Sequence, residues 1–140
     1  MKELETLEIQ ETSILDNELE KMDIHYFGTG QHVMCAEDFL ASENIVFLDV
    51  RAKAEQDNLK LPLKDFCKVL EIPVTEIPKR FMEIPKDKLI GIFCSAGIRA
   101  SIVFTYLLSK GYVSIKILNG GYGPLVEALK PGKVLKQIKK

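Results

Sequence analysis

Leu89-Ile90-Gly91-Ile92-Phe93 is an unbroken apolar run of strand length, and a helix-patterned segment starts only a few residues later. A strand without polar alternation is buried on both faces, which is the position of a strand inside a parallel sheet. The residues that follow the loop, Ala100 to Lys110, place apolar side chains near helical spacing, and Gly111 stands where a helix C′ glycine belongs. The connection between them is Cys94-Ser95-Ala96-Gly97-Ile98-Arg99. A thiol between a strand end and a helix start faces unpaired backbone N–H groups and the positive end of the helix dipole. Such a place binds anions and favours a thiolate. A free cysteine is ordinarily a small buried hydrophobe, but the glycine, the arginine and the strand–loop–helix setting point to a nucleophile.

The rest of the chain repeats this alternation. A buried strand from Ile45 to Leu48 ends at Asp49, Val69 to Ile72 reads as a short strand, and Pro73 and Thr75 open a helix through Phe81. Val113 to Leu118 alternates and ends at Gly120-Gly121, and a last helix spans Pro124 to Leu129 before Pro131-Gly132 stops it. Residues 52–65 read as polar and irregular, and Cys35 as a structural residue at a helix start. Strand and helix in turn predict an α/β fold with a mainly parallel sheet covered by helices on both faces.

Four stretches in register carry a resemblance to the rhodanese-like sulfurtransferases, over about residues 31–130. Cys94 to Arg99 is similar to the family's active-site loop. Ile45 to Arg51 resembles its hydrophobic strand followed by D-V-R, with Glu55 near the usual acidic position. Glu71-Ile72-Pro73 resembles its N-I-P, and Leu118-Asn119-Gly120-Gly121-Tyr122 its L-x-G-G-aromatic. Two departures stand out. Lys64 to Val69 replaces the common G-H-I-x-G-A, and Tyr122 stands where tryptophan is frequent. They leave the nucleophile in place and bear on which substrate is taken.

The resemblance implies a rhodanese-like fold and covalent double displacement. The Cys94 thiolate takes a sulfane sulfur from a donor (thiosulfate, a persulfide or a polysulfide) and passes it to a thiol or other nucleophile, possible partner proteins included. Cys94 and Arg99 are the expected catalytic residues. Ser95, Ala96, Gly97, Ile98 and Arg51 are the expected substrate-binding ones, Gly97 because it lets the loop turn without a Cβ in the pocket. Asp49 is expected to accept from loop amides and Arg51 to pair with Glu55. No cofactor and no metal are called for. Cysteine phosphatases, by contrast, separate cysteine and arginine by five residues; here four intervene. A module that keeps the fold for binding or regulation, without turnover, is the other alternative.

With 19 basic and 20 acidic residues in 140, nothing overall points to nucleic acid. Three cysteines, at 35, 67 and 94, lack metal-ligand spacing and suit a reducing compartment. Residues 1–30 form an acidic extension, with Leu4, Leu7, Ile14, Leu15, Leu19 and Met22 near helical spacing. It is expected to rest on the domain as one or two short helices, with homodimerisation as the sharper alternative. The rhodanese-like domain is expected over 31–132 and a basic tail over 133–140. The acidic start is unlike a signal peptide and no run reaches membrane-spanning length, so the protein is expected to be cytoplasmic, with no membrane partner.

Overall fold

The computed structural model describes residues 2–138. Its five strands are β1 (Val33–Met34), β2 (Ile45–Asp49), β3 (Lys68–Glu71), β4 (Leu89–Phe93) and β5 (Ile115–Leu118). All pair in parallel, in the order β1-β5-β4-β2-β3. The helices are α1 (Lys2–Glu20), α2 (Ile24–Gly28), α3 (Ala36–Ala41), α4 (Lys53–Asn58), α5 (Ile77–Arg80), α6 (Ile98–Ser109), α7 (Tyr122–Ala128) and α8 (Pro131–Ile138). Short 3-10 turns flank α5.

The apolar runs divide by strand periodicity between two cores. Val46 and Leu48 of β2 and Ile90 and Ile92 of β4 join Val103, Phe104 and Leu107 of α6 on one face. Ile45, Phe47 and Phe93 join Phe39 of α3 and Leu125 of α7 on the other. Each fully buried side chain of this size contributes roughly 1.5–3 kcal/mol, so β2 and β4, buried on both sides, anchor the sheet. Gly91 marks where the second core is tightest: a Cβ there would lie 2.6 Å from the Phe39 ring.

The α/β expectation holds, and several boundaries move. Residues 53–58, expected to be irregular, form α4. They carry no apolar stripe; Glu55 instead caps the helix by accepting from the Ala52 amide at 3.1 Å. Pro131, read as a stop, opens α8, because proline at a helix's first position gives up an N–H that would be unpaired anyway. The tail is therefore helical through Ile138, with Lys133 on Glu37 at 2.9 Å; Lys139 and Lys140 lie outside the described residues. The acidic extension is one long helix, α1, followed by the short α2. Leu15 and Met22 pack on the α6-side core and Glu11 pairs with Lys110 at 2.6 Å. Gly28 and Thr29 end α2. Cys35 caps α3, its sulfur accepting from the Asp38 amide at 3.5 Å. Among the described residues no helix is long and apolar enough to cross a membrane.

Candidate active site

β4 ends at Phe93 and α6 begins at Ile98, so four residues turn the chain at the carboxyl edge of a central strand, where open α/β sheets place their ligands. Cys94 is the first of them and only 1% exposed. Its Sγ accepts two backbone hydrogen bonds, from Gly97 N at 3.0 Å and Ala100 N at 3.3 Å. One of these donors, Ala100, belongs to the first turn of α6. Both place partial positive charge against the sulfur, and the dipole of a twelve-residue helix adds to it. Gly97 reaches this geometry with φ +90°, a left-handed conformation in which a side chain would be strained.

Arg99 lies one residue inside α6, and its guanidinium turns to Glu55 rather than to the sulfur. Nη1 meets Glu55 Oε1 at 2.5 Å, and Nη2 meets Oε2 at 3.1 Å and Ser95 Oγ at 2.9 Å. Each side chain of the pair is about one third exposed. The hydrogen bond from Arg99 holds the Glu55 carboxyl below the usual carboxylate range, outweighing partial burial, with the Ala52 amide helping. Glu55 in turn raises the Arg99 pKa, and the Cys94 sulfur adds to that through space. Glu55 thus pairs with Arg99 and not, as expected, with Arg51. The two residues are 44 apart in sequence, a distance over which local pattern carries no pairing information.

Arg51 is 0% exposed. Its Nε and Nη2 form a bidentate pair with Asp49, the closest contact 2.7 Å, and Nη2 also donates to Leu59 O at 3.0 Å. Nη1 donates to Tyr122 Oη at 3.0 Å and more weakly to Glu55 O at 3.4 Å. Burial alone would lower the guanidinium's pKa; hydrogen bonds to Asp49 and Tyr122 more than compensate and raise it. Its plane also faces the Phe93 and Tyr122 rings, 5.8 and 5.6 Å from their centroids. Asp49, expected to accept from loop amides, accepts from the Arg51 amide in the loop after β2, at 3.0 Å. Arg51 was expected among the substrate-binding residues; complete burial and a full set of protein acceptors give it a structural job here.

That job reaches the loop through α7. Tyr122, fixed by Arg51 and packed edge-on against Phe93 at 5.5 Å, follows Gly121, whose backbone lies against the carbonyl of Ser95. A phenol can accept from Arg51 whereas an indole N–H cannot, so tyrosine suits this position. Ala96 and Ile98 complete the loop, Ile98 being 72% exposed. The role of Gly121 is not legible locally; a glycine pair at a strand end signals only a tight turn.

The sequence profile of the Rhodanese-like domain family matches residues 35–127. The chain belongs to that family. Among relatives, a sulfurtransferase of Allochromatium vinosum is 34% identical over 80 residues, 57% of this chain and 70% of that protein. A tRNA sulfurtransferase of Aeromonas hydrophila is 30% identical over 125 residues, 82% of this chain but only 26% of that larger protein. A rhodanese-related protein from Thermoplasma volcanium has the same fold, with a TM-score of 0.56 at 22% identity over 71% of this chain and 95% of that one. In this rhodanese-like domain, Cys94 to Gly97 form the loop that joins β4 to α6, and Arg99 lies in the first turn of that helix.

Proposed function

We propose that this rhodanese-like domain is a sulfurtransferase that carries sulfane sulfur as a persulfide on Cys94. The observation that carries the reading is the Cys94 sulfur itself, seated at the start of α6 with the Gly97 and Ala100 amides at 3.0 and 3.3 Å. An anionic sulfur gains from both donors and from the dipole before and after loading. In the first step the thiolate attacks the donor's outer sulfur; the new S–S bond forms as the donor's own S–S bond breaks, and the electron pair leaves with the donor residue. In the second, an acceptor thiolate attacks the outer sulfur and Cys94 leaves as thiolate. Neither step changes the net oxidation level. Gly97 supplies conformation and an amide, Ser95 orients Arg99, and Ala96 and Ile98 form the apolar lip. Arg99 stands near the sulfur without touching it, its charge held on Glu55.

Intact mass after incubation with thiosulfate or with glutathione persulfide tests this reading. One sulfur atom should add to the native protein and to the Cys35→Ser and Cys67→Ser variants, and none to Cys94→Ser. Sulfur gained equally by the Cys94→Ser variant would rule the reading out.

The extension also supports a homodimer. Leu4, Leu7 and Ile9 are exposed on the part of α1 that precedes its Glu11–Lys110 anchor, and a second copy would cover them. Light scattering across a concentration series decides it: a monomer at all concentrations removes the dimer.

A further inference from the structure

The charged side chains behind and beside the loop pair off completely. Arg51 is locked on Asp49 beneath the surface, and Arg99, the remaining guanidinium at the mouth, has both terminal nitrogens on the Glu55 carboxylate. Ser95 Oγ takes a further bond from Nη2. A dianion approaching Cys94 therefore meets two amides already directed at the sulfur, the start of a helix and a neutralised ion pair. It also meets the apolar lip of Ala96 and Ile98, which suits carbon better than a sulfonate.

We propose that Glu55 is a specificity-determining residue: by holding Arg99 in a bidentate pair it turns the site away from dianionic thiosulfate and toward an organic persulfide. This rests on the sulfurtransferase reading above. Glu55 is well placed for the task. Its Oε1 accepts from Ala52 N as well as from Arg99, so the carboxylate is fixed to the start of α4 and cannot swing aside without uncapping that helix. Held below the usual carboxylate range by Arg99, it stays ionised throughout the neutral region.

The two donors place different demands on the site. Thiosulfate gives Cys94–S–S⁻ and sulfite, and the leaving sulfite carries away the electron pair of the broken S–S bond as a dianion. An organic persulfide, R–S–S⁻, gives the same Cys94–S–S⁻ and R–S⁻, with one negative charge on the departing sulfur and its carbon chain free to lie on Ile98. An unpaired Arg99 would favour the first reaction. A paired one leaves that dianion without a counter-charge.

The test compares kcat/KM for thiosulfate and glutathione persulfide, with cyanide as the common acceptor, in the native protein and in Glu55→Gln. Glutamine keeps an oxygen for Ala52 N while removing the charge. The thiosulfate-to-persulfide ratio should favour persulfide in the native protein and shift roughly tenfold toward thiosulfate in Glu55→Gln, the scale of one charge-assisted contact. Glu55→Asp, which keeps the charge, should restore much of the native ratio. Added salt should depress thiosulfate turnover of Glu55→Gln far more than that of the native protein, since salt screens an exposed unpaired charge. An unchanged ratio in Glu55→Gln, or a native preference for thiosulfate, overturns the assignment while leaving the sulfurtransferase reading intact. Should the glutamine variant not fold, the native preference still decides: persulfide over thiosulfate supports the assignment, and the reverse overturns it. If neither donor loads Cys94 in the native protein, the sulfurtransferase reading fails and this one with it.

Discussion

Gly121 and Ser95 touch backbone to backbone: a Cβ built on Gly121 would lie 2.0 Å from the Ser95 carbonyl oxygen. The contact joins the turn after β5 to the loop after β4, and it transmits the Arg51–Tyr122 bond to the nucleophile's neighbour. Gly121 also has φ +65° and ψ −137°, a combination that side chains avoid.

Gly121→Ala is expected to displace the Cys94 loop. Backbone strain of about 1–3 kcal/mol and a further ~1–3 kcal/mol of overpacking act together. Urea denaturation should show a loss of that order, and sulfur transfer should fall with it. Gly123→Ala, where a Cβ meets nothing within 4 Å, is the control and should be tolerated. Equal behaviour of the two variants would mean that the loop does not depend on the contact.

Arg51 is expected to matter to stability first. Arg51→Ala leaves the Asp49 carboxylate buried without its partner, a loss of roughly 3–5 kcal/mol against the 5–15 kcal/mol that a typical domain holds in total. Tyr122→Phe removes one acceptor from the same guanidinium and should cost less, on the order of 1–3 kcal/mol. Thermal or urea midpoints measure both. A stability change below about 1 kcal/mol in Arg51→Ala would show that the Asp49–Arg51 pair contributes little.

Much of this arrangement was legible in the sequence, and the losses have physical causes. β2 and β4 announce themselves because strands buried on both faces need continuous apolar runs, and Cys94 follows because a strand end and a helix start bracket it. The partners of the charged residues do not. Asp49, Arg51, Glu55 and Arg99 all carry legible chemistry, yet their pairing depends on which strands adjoin, so Glu55 reads equally well as a partner of Arg51. α4 was hidden for a related reason: six residues, all but Ala54 polar, held by one capping carboxylate leave no periodic signal. At Pro131 the same residue type both ends and begins helices, and local sequence alone favoured the first.

Arg99 and Glu55 are expected to be strongly coupled in activity. Arg99→Ala takes a charge from near the sulfur and leaves the Glu55 carboxylate uncompensated beside an anionic intermediate. The loss in kcat/KM should be roughly ten- to hundred-fold. Glu55→Gln in the same chain should recover part of it, because the repelling charge is gone. Arg99→Lys should retain partial activity through charge without the bidentate fork. Strictly additive effects in the double variant would show that the two residues act on transfer independently.

Cys67 is expected to be a slow thiol. Burial raises its pKa above the ordinary thiol value, only partly offset by a backbone hydrogen bond with Phe47. A raised pKa means a smaller thiolate fraction at any given pH below it, and the thiolate is the species that reacts. Iodoacetamide at pH 8 should therefore label Cys67 more slowly than exposed Cys35 in the folded protein, with the difference abolished in denaturant. The fold should lose stability as pH rises through the unfolded thiol's pKa, because the unfolded chain then releases a proton that the folded chain retains. Equal labelling rates in the native state would contradict the burial argument.

Loop length is expected to separate sulfur chemistry from phosphate chemistry. Only Ser95, Ala96, Gly97 and Ile98 stand between Cys94 and Arg99, and the amides that reach the centre, Gly97 and Ala100, are already directed at the sulfur. A tetrahedral phosphate needs donors around three oxygens and a guanidinium free to bind two of them. Here the guanidinium is occupied by Glu55. The native protein should accordingly release no phosphate from para-nitrophenyl phosphate above background. Inserting a single small residue after Gly97 should weaken sulfur transfer, because it moves the Ala100 amide and the start of α6 away from Cys94. Cys94-dependent phosphate release by the unmodified protein would show that the loop accommodates the larger anion, and would replace sulfur transfer with phosphoryl transfer as the reaction of this site.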